Sequence, residues 1–340
     1  MNNLGEAIRE TQSRVDFSGV VMVQDGHGDA ATASYGYANR ADQSKNNLGT
    51  RFGIASGCKL FTAIAICQLV EDGKLSFDTR LKDCLDIKFP SFSEEITVHH
   101  LLTHTSGVPD YFDEEIMEDF EELWIKRPMY HIRSLKDFLP MFQDEQMKFT
   151  PGESFHYNNA GYILLGLIAE HASSMQFTAY VEEYIFKKAG MMDSGYFSFD
   201  ALPSSTALGY IDLPDGSWKT NIYSLPVKGG SDGGAYVTAD DMSKLWRALL
   251  GQLLLKEDTL NILLTPHAQV NDTGYYGYGV WIKKQDDDIF KYHVMGYDPG
   301  VSFHSGYYPA AKTIATVCSN KSSGAYDILE TIEETLQVKA

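Results

Sequence analysis

Basic residues are scarce in this chain of 340 residues. It contains 28 Lys and Arg against 46 Asp and Glu, which gives a formal net charge of -18 at pH 7. Proteins bind phosphate backbones and anionic lipid headgroups through clusters of Lys and Arg, and the sequence has no basic stripe of that kind. We therefore expect no nucleic-acid partner and no membrane partner.

Long apolar runs and a basic leader are also missing. The longest apolar runs, such as residues 162–169, are far shorter than the ~20 residues that a helix needs to cross a bilayer. The first residues, MNNLGEAIRE, lack the basic segment followed by an apolar core that marks a secretory signal. We therefore expect a cytoplasmic protein.

Paired cysteines and metal-ligand spacings are absent as well. The 4 Cys residues lie in apolar segments without a CxxC pair, which favours reduced, packed thiols. His99, His100 and His104 cluster, but the sequence has no HExxH motif. We expect no disulfide, no bound metal and no organic cofactor.

Strand-like segments lie at both ends of the chain. Two of them, residues 17–24 and 30–37, are joined across Asp-Gly-His-Gly-Asp, a typical hairpin signal. Near the other end, β-branched and aromatic runs alternate with turn clusters at residues 276–284, 290–295, 300–307 and 313–320. These strands form one antiparallel sheet only if the two ends of the chain pair, and the amphipathic segment 325–337 would cover that sheet as a helix.

The middle of the chain is predicted to be mostly helical, with helical patterns at residues 60–72, 114–124, 135–142, 160–171, 178–187 and 239–250. We therefore predict an α+β fold with two parts. Residues 1–57 and 266–340 form a sheet domain with flanking helices, and residues 58–265 form a large, mostly helical inserted domain. The active site is expected in the cleft between them, because pockets favour domain interfaces.

An SxxK motif stands at the start of the helix predicted at 60–72. Ser56 and Lys59 are three residues apart there, so their side chains share one face. The helix N-terminus and the apolar neighbours both disfavour a cation, and a lysine in that environment is able to take the proton of a serine hydroxyl. An N-cap serine followed by a solvated lysine is the alternative interpretation.

A YxN motif follows further along the chain. Tyr157 and Asn159 are two residues apart in an extended segment that leads into the helix predicted at 160–171, so both side chains point the same way. The phenol is able to relay a proton, and the amide is able to bind a substrate carbonyl. Alternatively, Asn159 is the N-cap of that helix and Tyr157 packs on it.

Together with the stretches around them, the two motifs resemble the serine β-lactamase and penicillin-binding protein superfamily. The resemblance is to its class C β-lactamase-like branch of esterases, D-aminopeptidases and DD-peptidases, and it runs from about residue 17 to 320. The matching stretches are ITVHHLLTHTSGVP at 96–109, the PGxxFxYxNxGYxLLG pattern at 151–166, GGAYVTADD at 233–241 and Asp-Pro-Gly at 298–300.

The resemblance implies a β-lactamase/transpeptidase-like fold and a role for each motif residue. Ser56 would be the acylated nucleophile, Lys59 its buried base partner, and Tyr157 a phenolic base that shares the proton transfers. Asn159 would hold the amide or ester oxygen of the substrate. The backbone N–H groups of Ser56 and Tyr297 would form the oxyanion hole.

The third motif of that branch is changed in this chain. Its usual form is His-x-Gly or Lys-Thr-Gly on the strand that lines the cleft, and here Val-Met-Gly stands at 294–296. Gly296, which lets a substrate approach the strand, is kept, but the cation or imidazole is replaced by Val294. His293 is one residue early, so a regular strand places it on the opposite face and only a bulge would bring it into the cleft as a substrate contact.

Two features near the helical part complete the predicted site. Asp110 and Tyr111 follow the histidine-rich stretch and are predicted wall residues of the cleft. The acidic run at 113–122 is predicted to be the solvated face of a helix.

The sequence therefore predicts a serine hydrolase that cleaves a small ester, amide or lactam through an acyl-enzyme on Ser56. Two alternatives remain open. One is a true β-lactamase or penicillin-binding D-Ala peptidase, and the other is a catalytically idle family member that only binds a ligand. The sequence does not indicate an oligomeric state.

Overall fold

The computed structural model describes residues 2–26 and 28–337, which form one large sheet, three two-stranded sheets and the helices around them. In chain order the strands are β1 (Gly19–Asp25), β2 (Gly28–Tyr35), β3 (Tyr37–Asn39), β4 (Ser44–Lys45), β5 (Phe52–Gly53), β6 (Tyr210–Asp212), β7 (Trp218–Thr220), β8 (Tyr236–Val237), β9 (Ala268–Gln269), β10 (Gly274–Tyr276), β11 (Trp281–Gln285), β12 (Asp288–Asp298), β13 (Val301–Tyr308) and β14 (Thr313–Ser319). The helices are α1 (Asn2–Val15), α2 (Lys59–Glu71), α3 (Leu81–Cys84), α4 (Val98–Leu102), α5 (Leu123–Lys126), α6 (Asn159–Ser173), α7 (Phe177–Val181), α8 (Lys187–Ala189), α9 (Ala239–Leu250), α10 (Glu257–Leu263) and α11 (Ala325–Gln337).

The two ends of the chain meet in the large sheet. Its strands are all antiparallel and lie in the order β2-β1-β14-β13-β12-β11-β10-β9. β1 pairs with β14 in a register that matches Val20 with Cys318 and Val21 with Val317. The predicted antiparallel sheet built from both ends, and with it the α+β fold class, is confirmed.

β1 is apolar on both faces because each face packs on a different cluster. Val20 and Cys318 belong to the inner core, which continues into α2, α6 and α9. Val21 and Val317 belong to an outer cluster under α1 and α11. Successive side chains of a strand point to opposite faces, so a continuous run of valines fits this position.

The N-terminal helix α1 is absent from the predicted elements. Leu4 and Ile8 are buried in the outer cluster, and Thr11 Oγ1 lies 2.8 Å from Thr331 Oγ1 of α11. Together with Val15 these residues recur at helical spacing, which is the signal that identifies the helix in the sequence. The polar residues between them make that signal weak.

The helix predicted at 114–124 is wrong. Residues 114–116 form a turn, and only the 3-10 helix Phe120–Glu122 and the short α5 are helical in this region. In a continuous helix, Glu114 would face Glu118 one turn away, and Glu115 would face Asp119. Like charges at this spacing destabilise a helix. The acidic run is therefore free to take another shape.

Two other predicted helices are irregular. The segment predicted at 135–142 is the 3-10 helix Leu135–Met141, because Pro140 has no amide hydrogen and its ring clashes with the preceding turn of an α-helix. The segment predicted at 178–187 is divided between α7, a π-helix over Glu182–Phe186 and α8. The remaining predicted helices correspond to α2, α6, α9 and α11.

The division into a sheet domain and an inserted helical domain stays a prediction. All strands of the large sheet lie outside residues 58–265, as that division requires. One continuous core, however, joins the inner face of the sheet to α2, α6 and α9. In the part of the chain that the structure describes, no helix is both long enough and apolar enough to cross a membrane.

Candidate active site

Ser56 lies where the chain passes from the sheet into the most buried helix. It belongs to a 3-10 helix, Ala55–Cys58, that runs directly into α2. Ala55 has a φ angle of 46°, a left-handed conformation that is strained for a residue with a side chain. Ser56 itself is half-buried and lines a cavity of about 730 Å³.

Lys59 is buried in the first turn of α2, and three acceptors surround its ammonium. Only 1% of the residue is exposed. Its Nζ donates to Ser56 Oγ at 2.9 Å, to Asn159 Oδ1 at 2.8 Å and to the carbonyl of Asp232 at 2.7 Å. All three donors of the ammonium are used, which offsets the cost of burying a charge at a helix N-terminus. The alternative of a solvated lysine is therefore wrong.

Tyr157 packs directly on this ammonium. Lys59 Nζ lies 4.8 Å from the centre of the Tyr157 ring, and the ring stacks on Trp281 with 5.8 Å between centroids. Burial raises the pKa of the Tyr157 phenol well above its usual value, the negative charge of Glu114 raises it further, and a hydrogen bond with Ser56 opposes both effects. The phenol is therefore protonated and in contact with the predicted nucleophile.

The start of α6 releases the Asn159 side chain for the site. The N-cap is Asn158, whose side chain accepts a hydrogen bond from the Gly161 N–H at 2.6 Å. The Asp110 carboxylate accepts two more from the first backbone N–H groups of the helix, at 2.7 and 3.0 Å. The alternative of Asn159 as the N-cap is therefore wrong, and its amide is left to contact the buried ammonium.

Of the two predicted wall residues, only one lines the cavity. Tyr111 does so, and its hydroxyl donates a hydrogen bond to the Asp232 carboxylate. Asp110 is absent from the described residues that line the cavity, because its carboxylate is turned to the start of α6. Burial raises the pKa of Asp110 to about 7, although its backbone hydrogen bonds oppose this shift.

β12 passes close beside Ser56 at Gly296. A Cβ on Gly296 would lie 2.1 Å from the carbonyl oxygen of Ile54 and 2.8 Å from the Ser56 nitrogen, so only glycine fits. Asp298 and Val301 flank the two-residue turn between β12 and β13. In such a hairpin the pair beside the turn exchanges two backbone hydrogen bonds, whereas the next pair, here Tyr297 and Ser302, exchanges none. The N–H of Tyr297 is in that next pair and is directed away from β13, which leaves it available as the second oxyanion donor.

His293 lies on the face of β12 that packs under α11. Its neighbours there include Lys291, whose ammonium bonds to a glutamate of α11. The pairing with β13 is regular from His293 to Gly296, so no bulge turns the imidazole into the cleft and the predicted substrate contact is not made. Burial lowers the pKa of His293 well below its usual value. Val294 is 2% exposed in the inner core and supplies no polar group.

The cavity carries negative charge that the sequence did not reveal. In the described part of the chain its lining contains no Lys, Arg or His, and its charged residues are all carboxylates: Glu114, Glu118, Asp119, Asp232 and Asp298. The first three come from the acidic run, which lies at the cavity instead of forming a solvated helix face. The sequence does contain one signal for Asp232. Glycines at 229, 230, 233 and 234 surround it, a pattern typical of a backbone that approaches a site closely.

One group of potential metal ligands occurs in the described residues, and a lysine is bound to it. Asp113, Glu115 and His156 are close enough to share an ion. The ammonium of Lys148, however, bonds to Asp113 and lies 2.6 Å from His156 Nε2. This group is therefore an ion-pair network that ties the acidic run to the segment before α6.

The site is that of a serine hydrolase built on this superfamily's fold, and the comparisons agree. The chain belongs to the beta-lactamase family, whose model, described as Beta-lactamase, matches residues 6–338. The predicted superfamily and the predicted class of serine hydrolase are therefore confirmed.

Three similar proteins illustrate the relationship. Penicillin-binding protein 4* of Bacillus subtilis (strain 168) is 29% identical over 315 residues, which are 88% of this chain and 64% of that protein. The crystal structure of a penicillin binding protein from Bacillus halodurans is 62% identical, with a TM-score of 0.93 over 96% of this chain and 99% of that one. A D-amino acid amidase from Ochrobactrum anthropi SV3 shares the fold at 19% identity, with a TM-score of 0.82 over 99% of this chain and 98% of that one.

The Ser56→Ala variant should lose turnover by at least about 10³-fold, because no other group replaces the nucleophile. It should remain folded, since Lys59 keeps two of its three acceptors. The measurement is intact-mass spectrometry after exposure to a fluorophosphonate, with a melting curve for each protein. Covalent labelling of another cavity serine, such as Ser322, would contradict the assignment.

The Lys59→Ala and Tyr157→Phe variants should each acylate at least about 10²-fold more slowly, which is the usual cost of losing a positioned acid or base. Lys59→Ala should also lower the melting temperature, because two buried acceptors lose their donor. Tyr162→Phe is the matched control, since its hydroxyl bonds to the Leu102 carbonyl and is outside the set around Ser56. Stopped-flow acylation by one active ester measures the rates. Near-normal rates in both variants would refute the proton-transfer roles.

The Gly296→Ala variant should lose at least about 10²-fold in activity, because the added methyl group forces β12 away from Ser56 and so disturbs the oxyanion hole. Gly5→Ala is the control, since a methyl group at that position of α1 meets no atom within 4 Å. Ester hydrolysis by the two purified variants is compared. Equal activity would show that β12 does not bind the reacting group.

Proposed function

We propose that this protein hydrolyses a small ester or amide through an acyl-enzyme on Ser56. The observation that carries the proposal is the position of the Lys59 amine. It is held 2.9 Å from Ser56 Oγ by two further hydrogen bonds, to Asn159 and to the carbonyl of Asp232. A purely structural lysine needs no contact with the cavity serine that precedes it by one helical turn.

In the acylation step, Ser56 Oγ attacks the carbonyl carbon of the substrate. The Lys59 ammonium of the resting site first releases one proton to solvent. The Ser56 proton then passes to the resulting neutral amine of Lys59, and the phenol of Tyr157 relays a proton from Lys59 to the leaving group. The carbonyl oxygen becomes an oxyanion that the N–H groups of Ser56 and Tyr297 stabilise. The alcohol or amine leaves, and water then attacks the acyl-enzyme with the same groups in reversed roles.

The substrate is one without a carboxylate near the reacting bond. All charged residues among the described lining of the cavity are carboxylates, and Lys59 has no donor left for a substrate anion. Val294 and His293 supply no cation on β12 either. A penicillin or a D-alanyl peptide, which presents a carboxylate, would therefore lose a charge-assisted hydrogen bond and also meet like charge.

Penicillin binding is the second candidate function, and the names of the relatives favour it. The Bacillus halodurans structure, at 62% identity, is called a penicillin binding protein. This chain spans 64% of the length of the Bacillus subtilis relative, so the activity of that whole protein is not transferred here. A catalytically idle ligand binder is the third candidate. The cytoplasmic location predicted from the sequence also stays a prediction.

A matched pair of esters tests the substrate class. We compare the esters that one acyl group forms with 3-hydroxybenzamide and with 3-hydroxybenzoate. Each kcat/KM is divided by the rate constant for hydrolysis of the same ester by hydroxide. We expect the resulting value to be about 10- to 150-fold higher for the 3-hydroxybenzamide ester. This range corresponds to the ~1.5–3 kcal/mol of a hydrogen bond to a charged group. A chromogenic cephalosporin should be turned over poorly.

Each outcome separates the candidates. A preference for the carboxylate ester and the cephalosporin would refute the proposal and support the penicillin-binding alternative. If the protein turns over no substrate and a fluorophosphonate does not label Ser56, the third candidate, a catalytically idle ligand binder, is supported.

A further inference from the structure

Asp298 places an unpartnered carboxylate beside the predicted oxyanion hole. It ends β12, directly after Tyr297, and it lines the same cavity as Ser56. Within the described residues no basic side chain or hydrogen-bond donor pairs with its side chain. Burial and the negative charges of Asp232 and Glu114 raise the pKa of Asp298 to about 8, and the positive charge of Lys59 opposes them only in part. A partly buried carboxylate in this state lacks the positive partner that such groups normally have.

A second unpartnered acceptor lies next to it. Asn221 lines the cavity and is 2% exposed, and its Nδ2 donates to the carbonyl of Pro299 at 2.9 Å. That contact orients the amide, because a carbonyl accepts only from the NH₂ side. The carbonyl of Pro299 therefore leaves Asn221 Oδ1 unbonded, and this oxygen is buried without a hydrogen-bond partner among the described residues. Two acceptors without a donor thus flank the turn that ends β12.

We propose that Asp298 and Asn221 bind the free ammonium of the substrate, so that the preferred substrate is an aminoacyl ester or amide. This inference rests on the proposed hydrolysis at Ser56 and names its substrate class. A primary ammonium supplies up to three donors and one positive charge. It therefore donates hydrogen bonds to both unpartnered acceptors, and its positive charge offsets the negative charge of the carboxylates in the cavity.

The position of Asp298 along β12 suits an ammonium on the acyl group. The backbone N–H of Tyr297 would hold the carbonyl oxygen, and Asp298 is its neighbour in the chain. In an aminoacyl group the ammonium is bonded to the carbon next to the carbonyl. The Tyr297 N–H and the Asp298 carboxylate are therefore close together on the protein, as the carbonyl oxygen and the ammonium are on the substrate.

The substrate ammonium also removes an electrostatic conflict. An ionised Asp298 next to the oxyanion hole would repel the negative charge that develops on the carbonyl oxygen. The positive charge of Lys59 opposes this repulsion only in part, since burial still leaves the pKa of Asp298 raised to about 8, and the three donors of Lys59 are already used by other acceptors. A bound ammonium pairs with the carboxylate and so favours both binding and the transition state. A divalent cation fits less well, since it needs about six oxygen ligands and this corner offers two.

The experiment compares alanyl 4-nitroanilide, in both enantiomers, with isobutyryl 4-nitroanilide. The two acyl groups have nearly the same size, and they differ by an ammonium in place of a methyl group. Each kcat/KM is divided by the hydroxide rate of the same compound. For the unmodified protein we expect the better alanyl enantiomer to exceed the isobutyryl compound by about 10- to 150-fold.

The Asp298→Asn and Asn221→Leu variants test the assigned residues. We expect Asp298→Asn to lower the alanyl-to-isobutyryl ratio by at least about 10-fold and Asn221→Leu to lower it by a smaller factor. The ratio is the readout, because a general loss of activity cancels from it. Glu118→Gln is the matched control. It removes one negative charge from the exposed part of the same cavity, and it should change the ratio by less than about threefold.

A measurement without substitution covers the case in which a variant does not fold. Alaninamide should inhibit hydrolysis of a neutral ester at least about 10-fold more tightly than isobutyramide. Equal inhibition, or an unchanged ratio in Asp298→Asn, overturns the inference while hydrolysis of the neutral ester keeps the proposed function intact. If the protein hydrolyses no ester and Ser56 is not labelled, the proposed function itself has failed.

Discussion

The site depends on one buried ammonium, that of Lys59, and on the three acceptors that surround it. A charge in this position is tolerated only when every donor is bonded, because an unpaired buried charge is strongly destabilising. The three acceptors come from the 3-10 helix before α2, the start of α6 and the loop at 228–234. The requirement to satisfy one lysine therefore brings together three segments that are far apart in the chain.

The neighbouring features follow from that arrangement. Asn158 and Asp110 cap α6, so that Asn159 is free to bond the ammonium. Gly296 lets β12 approach the backbone of Ser56 to a distance that no side chain would permit. The left-handed Ala55 is the local strain that the surrounding contacts hold in place. Positioning, rather than any unusual residue type, distinguishes the serine that is predicted to react.

Carboxylates line the cavity beside this buried cation. In the more buried part of this cavity wall, at Asp232 and Asp298, charges act through a medium of lower effective dielectric constant than water, so they select ligands by sign. The acidic run contributes because it fails to form a helix, and that failure follows from like charges one turn apart. The same run is tied to the segment before α6 by Lys148 and His156. Its carboxylates therefore line the cavity, in addition to forming part of the solvated surface of the protein.

The sequence alone determined the fold class and predicted the reacting group. Strand patterns at both ends predicted one antiparallel sheet that joins the two ends of the chain, and the SxxK and YxN motifs predicted the set of Ser56, Lys59 and Tyr157, because these signals depend on local spacing. The tertiary structure decided which amide caps α6, that His293 faces α11, and that carboxylates line the cavity. Those outcomes depend on contacts between segments that are distant in the chain. Local spacing contains no information about such contacts, so only the folded chain shows that Asp298 and Asn221 share one corner.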